Sequence, residues 1–127
     1  MANRWLGRDG ARLVAAGRVA LGVGMVARPD LLPKLLGVDS GTASRMSWLG
    51  RMFGAREIAL GAGLLVAGRD REGEWLLGAA LSDAVDAVAF AEAARRGVVR
   101  PALGGAFTVT AATAAGTEVA AWLAGRD

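Results

Sequence analysis

The chain of 127 residues contains no cysteine, no histidine and no tyrosine. Without cysteine there is no disulfide and no thiolate chemistry. Without histidine the chain lacks the commonest general base and the commonest ligand for transition metals. Acid–base chemistry would therefore fall to aspartate and glutamate, and we expect neither a metal ion nor another cofactor.

Large aromatic side chains are also scarce. Aromatic residues make up 6% of a chain that is 54% hydrophobic, and glycine occurs 19 times. The apolar content is therefore mostly alanine, valine and leucine. Because alanine and glycine each bury little area, this composition suits a soluble core poorly. It is typical of helices that pack closely in lipid, where small residues let backbones approach one another.

Lysine is nearly missing from the basic residues. Of the 15 basic residues, Lys34 is the one lysine and the others are arginine, against 12 acidic residues. A nucleic-acid-binding protein needs a basic face with aromatic side chains among its basic residues. Here the arginines are scattered at segment ends and inside apolar runs. We therefore do not expect nucleic acid as a partner.

Four apolar segments organise the chain as a single domain over residues 1–127. They cover residues 13–27, 46–68, 75–94 and 102–125. Three of them reach the roughly 20 residues that cross a bilayer core, and the first is shorter. Residues 30–38, DLLPKLLGV, form either a short amphipathic helix at the membrane interface or a leucine-containing loop. Residues 40–44, SGTAS, predict a turn and the N-cap of helix 2.

These features predict an all-α fold, an antiparallel four-helix transmembrane bundle with a short interfacial helix between helices 1 and 2. The alternative is a soluble four-helix bundle with alanine-rich faces. However, the stretches LGAGLLVAG and WLLGAALSDAVDAVAFA are apolar on nearly all sides, whereas a soluble surface helix shows a polar stripe. We therefore expect a multi-pass protein of the cell membrane, in contact with membrane lipid.

Small residues recur at intervals of four in three of the segments, which predicts close contact between helices. The series are Thr108, Ala112, Gly116, Ala120 and Ala124 in segment four, Ala16, Ala20 and Gly24 in segment one, and Gly50 and Gly54 in segment two. From these series and the neighbouring Gly61, we expect Gly54, Gly61, Ala112 and Gly116 at helix contacts. They favour packing within one chain over a dimer face, and formation of a homo-oligomer stays open.

Charged residues interrupt the apolar segments. They are Arg18, Arg51, Arg56, Glu57, Asp83, Asp86 and Glu118. A charge at the centre of a bilayer costs at least about 2.5–3.5 kcal/mol, so such residues turn inward and pair. Asp83 and Asp86 are three residues apart and share one helix face. We expect Arg18 or Arg56 to pair with one of them.

Arg56 and Glu57 are adjacent in the chain and point in directions about 100° apart on a helix. We expect Arg56 to face the bundle interior within reach of Asp83 or Asp86. Glu57 should meet another helix or a polar cavity, with Arg18 as its partner. These charges either fix the register of the helices as structural ion pairs or line a polar pocket for a small ligand or for proton transfer.

The stretch RMFGAREIALGAGLL, followed by a helix with SDAVDAV, resembles the small four-helix membrane proteins of actinobacteria in the DoxX-like neighbourhood. Those proteins share a G-x-R-[DE]-x-x-L-G core in helix 2 and an acidic pair in helix 3. The matching residues in this chain are Gly54, Arg56, Glu57, Leu60 and Gly61, then Asp83 and Asp86. The resemblance covers most of the chain. It implies the bundle fold and a membrane location in bacteria, and it implies no particular activity.

Two classes of function remain. The first is a non-enzymatic membrane protein, either an accessory subunit or a binding protein for a small lipophilic ligand. The second is a membrane-embedded acid–base enzyme, such as an isomerase or a cyclase acting on a lipophilic natural product. The candidate catalytic residues are Asp83, Asp86, Arg56 and Glu57, and the candidate ligand-binding residues are Arg18, Glu118, Thr108 and Thr113. A D-x-x-D pair also occurs in Mg²⁺–diphosphate sites, but no second acidic cluster accompanies it here.

Overall fold

The computed structural model describes residues 2–126, with side chains from residue 9 onward. This part of the chain is helical, without a strand, which confirms the predicted all-α class. Four long helices and two short ones follow one another as α1 (Ala2–Ala27), α2 (Leu31–Leu35), α3 (Ser40–Arg45), α4 (Ser47–Val66), α5 (Glu72–Arg95) and α6 (Pro101–Ala124).

Helix α1 begins well before the predicted apolar segment 13–27. The residues that precede this segment include arginine, leucine and alanine, which are good helix formers even when they are not apolar. Hydrophobicity alone therefore placed the start of this helix too late.

The connection between α1 and α4 contains the predicted short helix, since α2 lies within residues 30–38. The sequence predicted that residues 40–44 form a turn and cap α4. They belong instead to the separate helix α3. Asp39 is the N-cap of α3, because its carboxylate accepts a hydrogen bond from the Thr42 N–H at 2.9 Å. The hydrogen bond from the Thr42 backbone lowers the pKa of the Asp39 carboxyl.

Neighbouring long helices run antiparallel. Along the α1–α4 contact, Gly22 faces Gly54 and Pro29 faces Gly50. Residue numbers rise in one helix as they fall in the other. The same inverse order relates α4 to α5 and α5 to α6, and their five-residue connections are of the length that joins antiparallel neighbours.

The four long helices form two close pairs. Helix α1 packs chiefly on α4, and α5 packs chiefly on α6, with less contact between the two pairs. The α1–α4 pair is close because glycines line it: a methyl group on Gly54 would lie 2.7 Å from the Gly22 carbonyl oxygen. A methyl group on Gly61 would lie 2.5 Å from the Ala15 carbonyl oxygen. The predicted contacts at Gly54 and Gly61 are therefore confirmed.

The predicted contacts at Ala112 and Gly116 are wrong. Both residues are exposed, and a methyl group on Gly116 would have no neighbour within 4 Å. The series in segment one is also misplaced, since its members are exposed, whereas the buried face of α1 carries Ala11, Ala15, Arg18, Gly22 and Met25. Alanine and glycine occur on every face of these helices, so their spacing alone does not identify the packed face.

A small apolar core closes one end of the bundle. It consists of Ala11, Ala15, Leu64, Leu76 and Ala121, with two tryptophans packed against it, Trp75 and Trp122. Many large apolar side chains lie on the outside instead; Leu13 is 76% exposed and Leu81 is 68% exposed. The outer surface of the helices is therefore largely apolar.

One helix in the described part of the chain is long and apolar enough to cross a membrane, at Asp9–Ala27, and 28% of that span is buried in the protein. This is the segment that the sequence marked as the shortest. The other three long helices do not meet the same criterion, so the multi-pass arrangement stays a prediction.

We predict opposite stability effects for one substitution at two glycines. Gly54→Ala should lower the free energy of unfolding by about 1–3 kcal/mol, because the methyl group would collide with the α1 backbone. Gly116→Ala should raise it by about 0.5–1 kcal/mol, because alanine favours the helix and the site is open. Thermal unfolding of the two purified variants measures both shifts. Equal shifts would contradict the close α1–α4 contact.

Candidate functional site

Arg18 is a buried arginine at the centre of the bundle, with 4% of its surface exposed. Its Nη1 donates a hydrogen bond to Glu57 Oε2 of α4 at 2.9 Å. Its Nε and Nη2 donate to Glu118 Oε1 of α6 at 3.3 and 3.2 Å, and Nη2 also donates to the Ala79 carbonyl of α5 at 3.1 Å. Nη2 forms a further ion pair with Asp83 of α5. One guanidinium group from α1 therefore contacts all three other long helices.

Arg56 is the second arginine of the site. Its Nη2 contacts Asp86 Oδ2 at 2.6 Å, which confirms that it lies within reach of the acidic pair. Arg56 also donates to the adjacent Glu57 Oε1, at 3.3 Å from Nε and 3.1 Å from Nη2, and its guanidinium lies over the Phe53 ring. Its side chain is 37% exposed, so it lies at the margin of the bundle rather than fully inside.

Glu57 bridges the two arginines, because Oε2 accepts from Arg18 and Oε1 accepts from Arg56. The predicted pairing of Glu57 with Arg18 is confirmed. Arg56 and Glu57 differ in exposure, 37% against 4%, as their different directions on the helix predict, yet the ends of the two long side chains still meet. Arg18, Arg56, Glu57, Asp83, Asp86 and Glu118 together form one connected set, which we call the charged network.

Carboxyl groups outnumber guanidinium groups in the charged network. It contains two arginines and four acidic residues, so two negative charges are in excess when all groups are ionised. Glu118 Oε2 and Asp83 Oδ2 are buried without a hydrogen-bond donor, although Asp83 Oδ2 contacts Arg18 as an ion pair. The arginines therefore do not use the full accepting capacity of the carboxyls.

A cavity of about 570 Å³ lies beside the charged network, between the two helix pairs. Three carboxyl residues, Glu57, Asp83 and Asp86, line it together with Arg18. The rest of its wall is mostly apolar and includes all three phenylalanines of the chain, Phe53, Phe90 and Phe107. A largely apolar cavity with a few converging polar groups has the character of a small-molecule site.

A second cavity of about 630 Å³ lies beneath the connection between α1 and α4. Residues of α2 and α3 and their flanks contribute to its wall, and it shares Phe53, Phe90 and Asp86 with the first cavity. The two cavities therefore adjoin each other at these three side chains. The hydrogen bond from the Arg100 N–H to the Leu36 carbonyl, at 2.8 Å, ties the connection to the start of α6.

The structure brings most of the predicted site residues together, but not all of them. Thr113 lines the first cavity, whereas Thr108 does not, and the Thr108 hydroxyl donates to the Gly104 carbonyl of its own helix at 2.8 Å. Glu118 also lies outside the cavity wall, behind Arg18, and it is fully buried. The charged residue Arg51 is exposed and belongs neither to the cavity wall nor to the charged network.

Sequence reasoning missed the phenylalanines and two cavity threonines, Thr110 and Thr117. Phe90 lies four residues after Asp86, so it shares a helix face with that carboxylate. Phe53 precedes Glu57 by the same interval. This spacing was a usable signal in a chain with so few aromatic residues.

Within residues 2–126 no group of three or more acidic side chains is arranged to hold a metal ion. Asp83 contacts Arg18 and Asp86 contacts Arg56, so the two carboxylates are ion-paired with different arginines.

In comparisons with protein-family models, curated proteins and solved structures, no match was found. The resemblance to DoxX-like proteins therefore stays a prediction.

We predict that Arg18 and Arg56 tolerate lysine differently. Arg18→Lys should lower the free energy of unfolding by about 3–5 kcal/mol, because an ammonium group cannot reach three carboxyls in fork geometry and leaves buried charge unpaired. Arg56→Lys, at the partly exposed margin, should cost less than about 1 kcal/mol. Chemical unfolding of both variants gives the comparison. A larger loss for Arg56→Lys would contradict the central place of Arg18.

Proposed function

We propose that this chain is a multi-pass membrane protein that binds a small lipophilic ligand in the cavity beside Arg18. The observation that carries this proposal is the cavity itself: about 570 Å³ in volume, apolar over most of its wall, and bordered by charged side chains at one place. Such an arrangement buries an apolar molecule and orients it through a few polar contacts.

The apolar exterior supports a location in the membrane. The shortest long helix, α4, has 20 residues and would extend about 30 Å, the thickness of a bilayer core. Large side chains such as Leu81, Val88 and Val109 are each more than 65% exposed on the outside of the bundle. The charged residues Glu57 and Asp83, near the middle of their helices, are buried and paired instead.

This distribution is the reverse of that of a soluble bundle. In water, many apolar side chains on this surface would be exposed to an unfavourable solvent, whereas lipid would solvate them. In lipid, charges near the middle of the helices have to be buried within the protein. The low buried share of Asp9–Ala27 supports the same conclusion, because the core helix of a soluble protein is mostly buried. The proposal places α2 at the membrane interface.

A labelling experiment tests the membrane location. The chain has no cysteine, so single cysteines can be introduced without background labelling. Leu81→Cys lies on the exposed side of α5, and Asp70→Cys lies in the exposed connection before it. In open membrane fragments, a water-soluble maleimide should label Asp70→Cys and leave Leu81→Cys unlabelled until the protein is denatured. Equal labelling at both positions would contradict burial of α5 in lipid.

Two glycines of α1 provide a matched test of the ligand-binding cavity. Gly17 lines the cavity and Gly24 does not, and a methyl group on either would meet nothing within 4 Å. Gly17→Leu should therefore fill part of the cavity without a backbone clash, while Gly24→Leu should leave it unchanged.

The probes are decanol, decylamine and decanoate, measured by equilibrium dialysis against protein in lipid nanodiscs with empty nanodiscs as the blank. At least one probe should bind the wild type in a saturable way, with affinity reduced by Gly17→Leu and kept by Gly24→Leu. If the wild type binds none of the three above the blank, the cavity is not a lipophilic binding site.

An acid–base enzyme acting on a lipophilic substrate is the second candidate function. One observation favours it: Asp83 and Asp86 line the same cavity wall, so two carboxyls could face one bound molecule. Both also contact arginines, which hold the two carboxyls in place at that wall. Binding requires fewer assumptions, because it uses the same groups without a proton transfer.

A further inference from the structure

We infer that the ligand of the cavity is a lipophilic amine, bound in its protonated form through the carboxyl side of the charged network. This inference rests on the proposed ligand-binding function and adds the chemical class of the ligand. It depends on three properties of the cavity wall: its charge, its hydrogen-bonding capacity and its aromatic content.

The cavity wall carries more carboxyl groups than guanidinium groups. One arginine, Arg18, and three acidic residues, Glu57, Asp83 and Asp86, line the cavity. Including Arg56 and Glu118, which complete the network, the carboxyls still exceed the guanidinium groups by two. Carboxyl groups that no guanidinium compensates favour a cationic ligand over an anionic one at this wall.

The hydrogen-bonding groups of the wall are mainly acceptors. Arg18 makes four hydrogen bonds with protein acceptors, so little of its donor capacity is left for a ligand. Asp83 is 6% exposed and lines the cavity, and among the described residues the one donor group near its Oδ2 is the Arg18 guanidinium, which holds it as an ion pair. A ligand that donates hydrogen bonds therefore matches this wall better than one that only accepts them.

The cavity threonines also present acceptors. The Thr110 hydroxyl donates to the Ala106 carbonyl and the Thr117 hydroxyl donates to the Thr113 carbonyl, each at 2.9 Å. A hydroxyl has one hydrogen, so what remains for a ligand on these two threonines is the lone pairs of the oxygen. A protonated amine carries several N–H donors and matches both the carboxylates and the hydroxyl oxygens.

Aromatic faces complete the match. Phe90 and Phe107 line the cavity as a tilted pair with ring centroids 5.2 Å apart, and Phe53 already lies 4.6 Å from the guanidinium of Arg56. The negative face of a phenylalanine ring attracts a cation placed near it. The remaining apolar wall accommodates the hydrocarbon part of the amine. An anionic ligand would instead face carboxylates with few free donors.

The experiment compares decylamine, decanol and decanoate, which share a ten-carbon chain and differ in the charge of the head group. In the nanodisc dialysis at neutral pH, decylamine should bind at least about tenfold more tightly than decanol, as expected for a charge-assisted hydrogen bond, and decanoate should bind most weakly. Empty nanodiscs correct for partition of each probe into lipid.

Two variants of the cavity wall and one control variant test whether the preference for decylamine depends on the cavity carboxyls. Asp83→Asn and Asp86→Asn should each reduce the preference for decylamine over decanol by about tenfold or more while decanol binding stays close to the wild-type value. Glu92→Gln removes an exposed carboxyl from the same helix, outside the cavity, and should keep the preference. If Asp83→Asn fails to fold, the partly exposed Asp86 still gives the comparison.

The outcomes of the dialysis experiment distinguish failure of the amine inference from failure of the proposed binding function. Equal binding of the three probes by the wild type, or a preference for decanoate, would overturn the amine inference and leave the proposed binding function in place. A preference for decylamine that persists in both aspartate variants would overturn it as well. Absence of saturable binding of all three probes would overturn the proposed function and the inference with it.

Discussion

The contact of the Arg18 guanidinium with Glu57, Asp83 and Glu118 is the interaction on which the rest of the structure depends. It joins α1 to each of the other long helices through a single planar group. A buried carboxyl without such a partner would carry a desolvation cost of several kcal/mol. The positions of α4, α5 and α6 around α1 are thereby constrained at the depth where the network lies.

Glycine packing and the charged network together produce the cavity. Glycines let α1 and α4 approach until backbone meets backbone, and α5 and α6 pack on each other at the opposite side. The two pairs meet less closely, and the cavity occupies the space that remains between them. Side chains long enough to cross this space, above all Arg18, connect the pairs along one wall, while the phenylalanines shape the others.

Much of this arrangement could be predicted from the cost of burying charge. That cost alone paired Arg18 with Glu57 and directed Arg56 to the acidic pair, and the structure has both contacts. The helical class followed from four apolar segments separated by clear breaks. Hydrophobicity could not locate the start of α1, because helix-forming charged residues continue the helix beyond its apolar part.

The errors about helix contacts have a common physical origin in the small size of alanine and glycine. These residues are tolerated both at close contacts and on an apolar exterior, so the series ending at Gly116 predicted a contact that α6 does not make. Gly54 was predicted from its four-residue spacing to Gly50, and it does lie at a contact, on the α4 face that also carries the inward-turned Glu57. The cavity itself was not visible in the sequence, since it depends on the unequal spacing of helices that contain similar residues.

The most direct test of the Arg18 contacts is a set of four double-mutant cycles on the free energy of unfolding, three within the charged network and one as a control. Arg18→Met is combined in turn with Glu57→Gln, Asp83→Asn and Glu118→Gln, and with Glu92→Gln as the distant control. We expect coupling of about 0.5–3 kcal/mol between Arg18 and each of the three carboxyls, and none with Glu92. Coupling with one carboxyl alone, or coupling no larger than that of the control, would contradict a guanidinium that holds all four helices together.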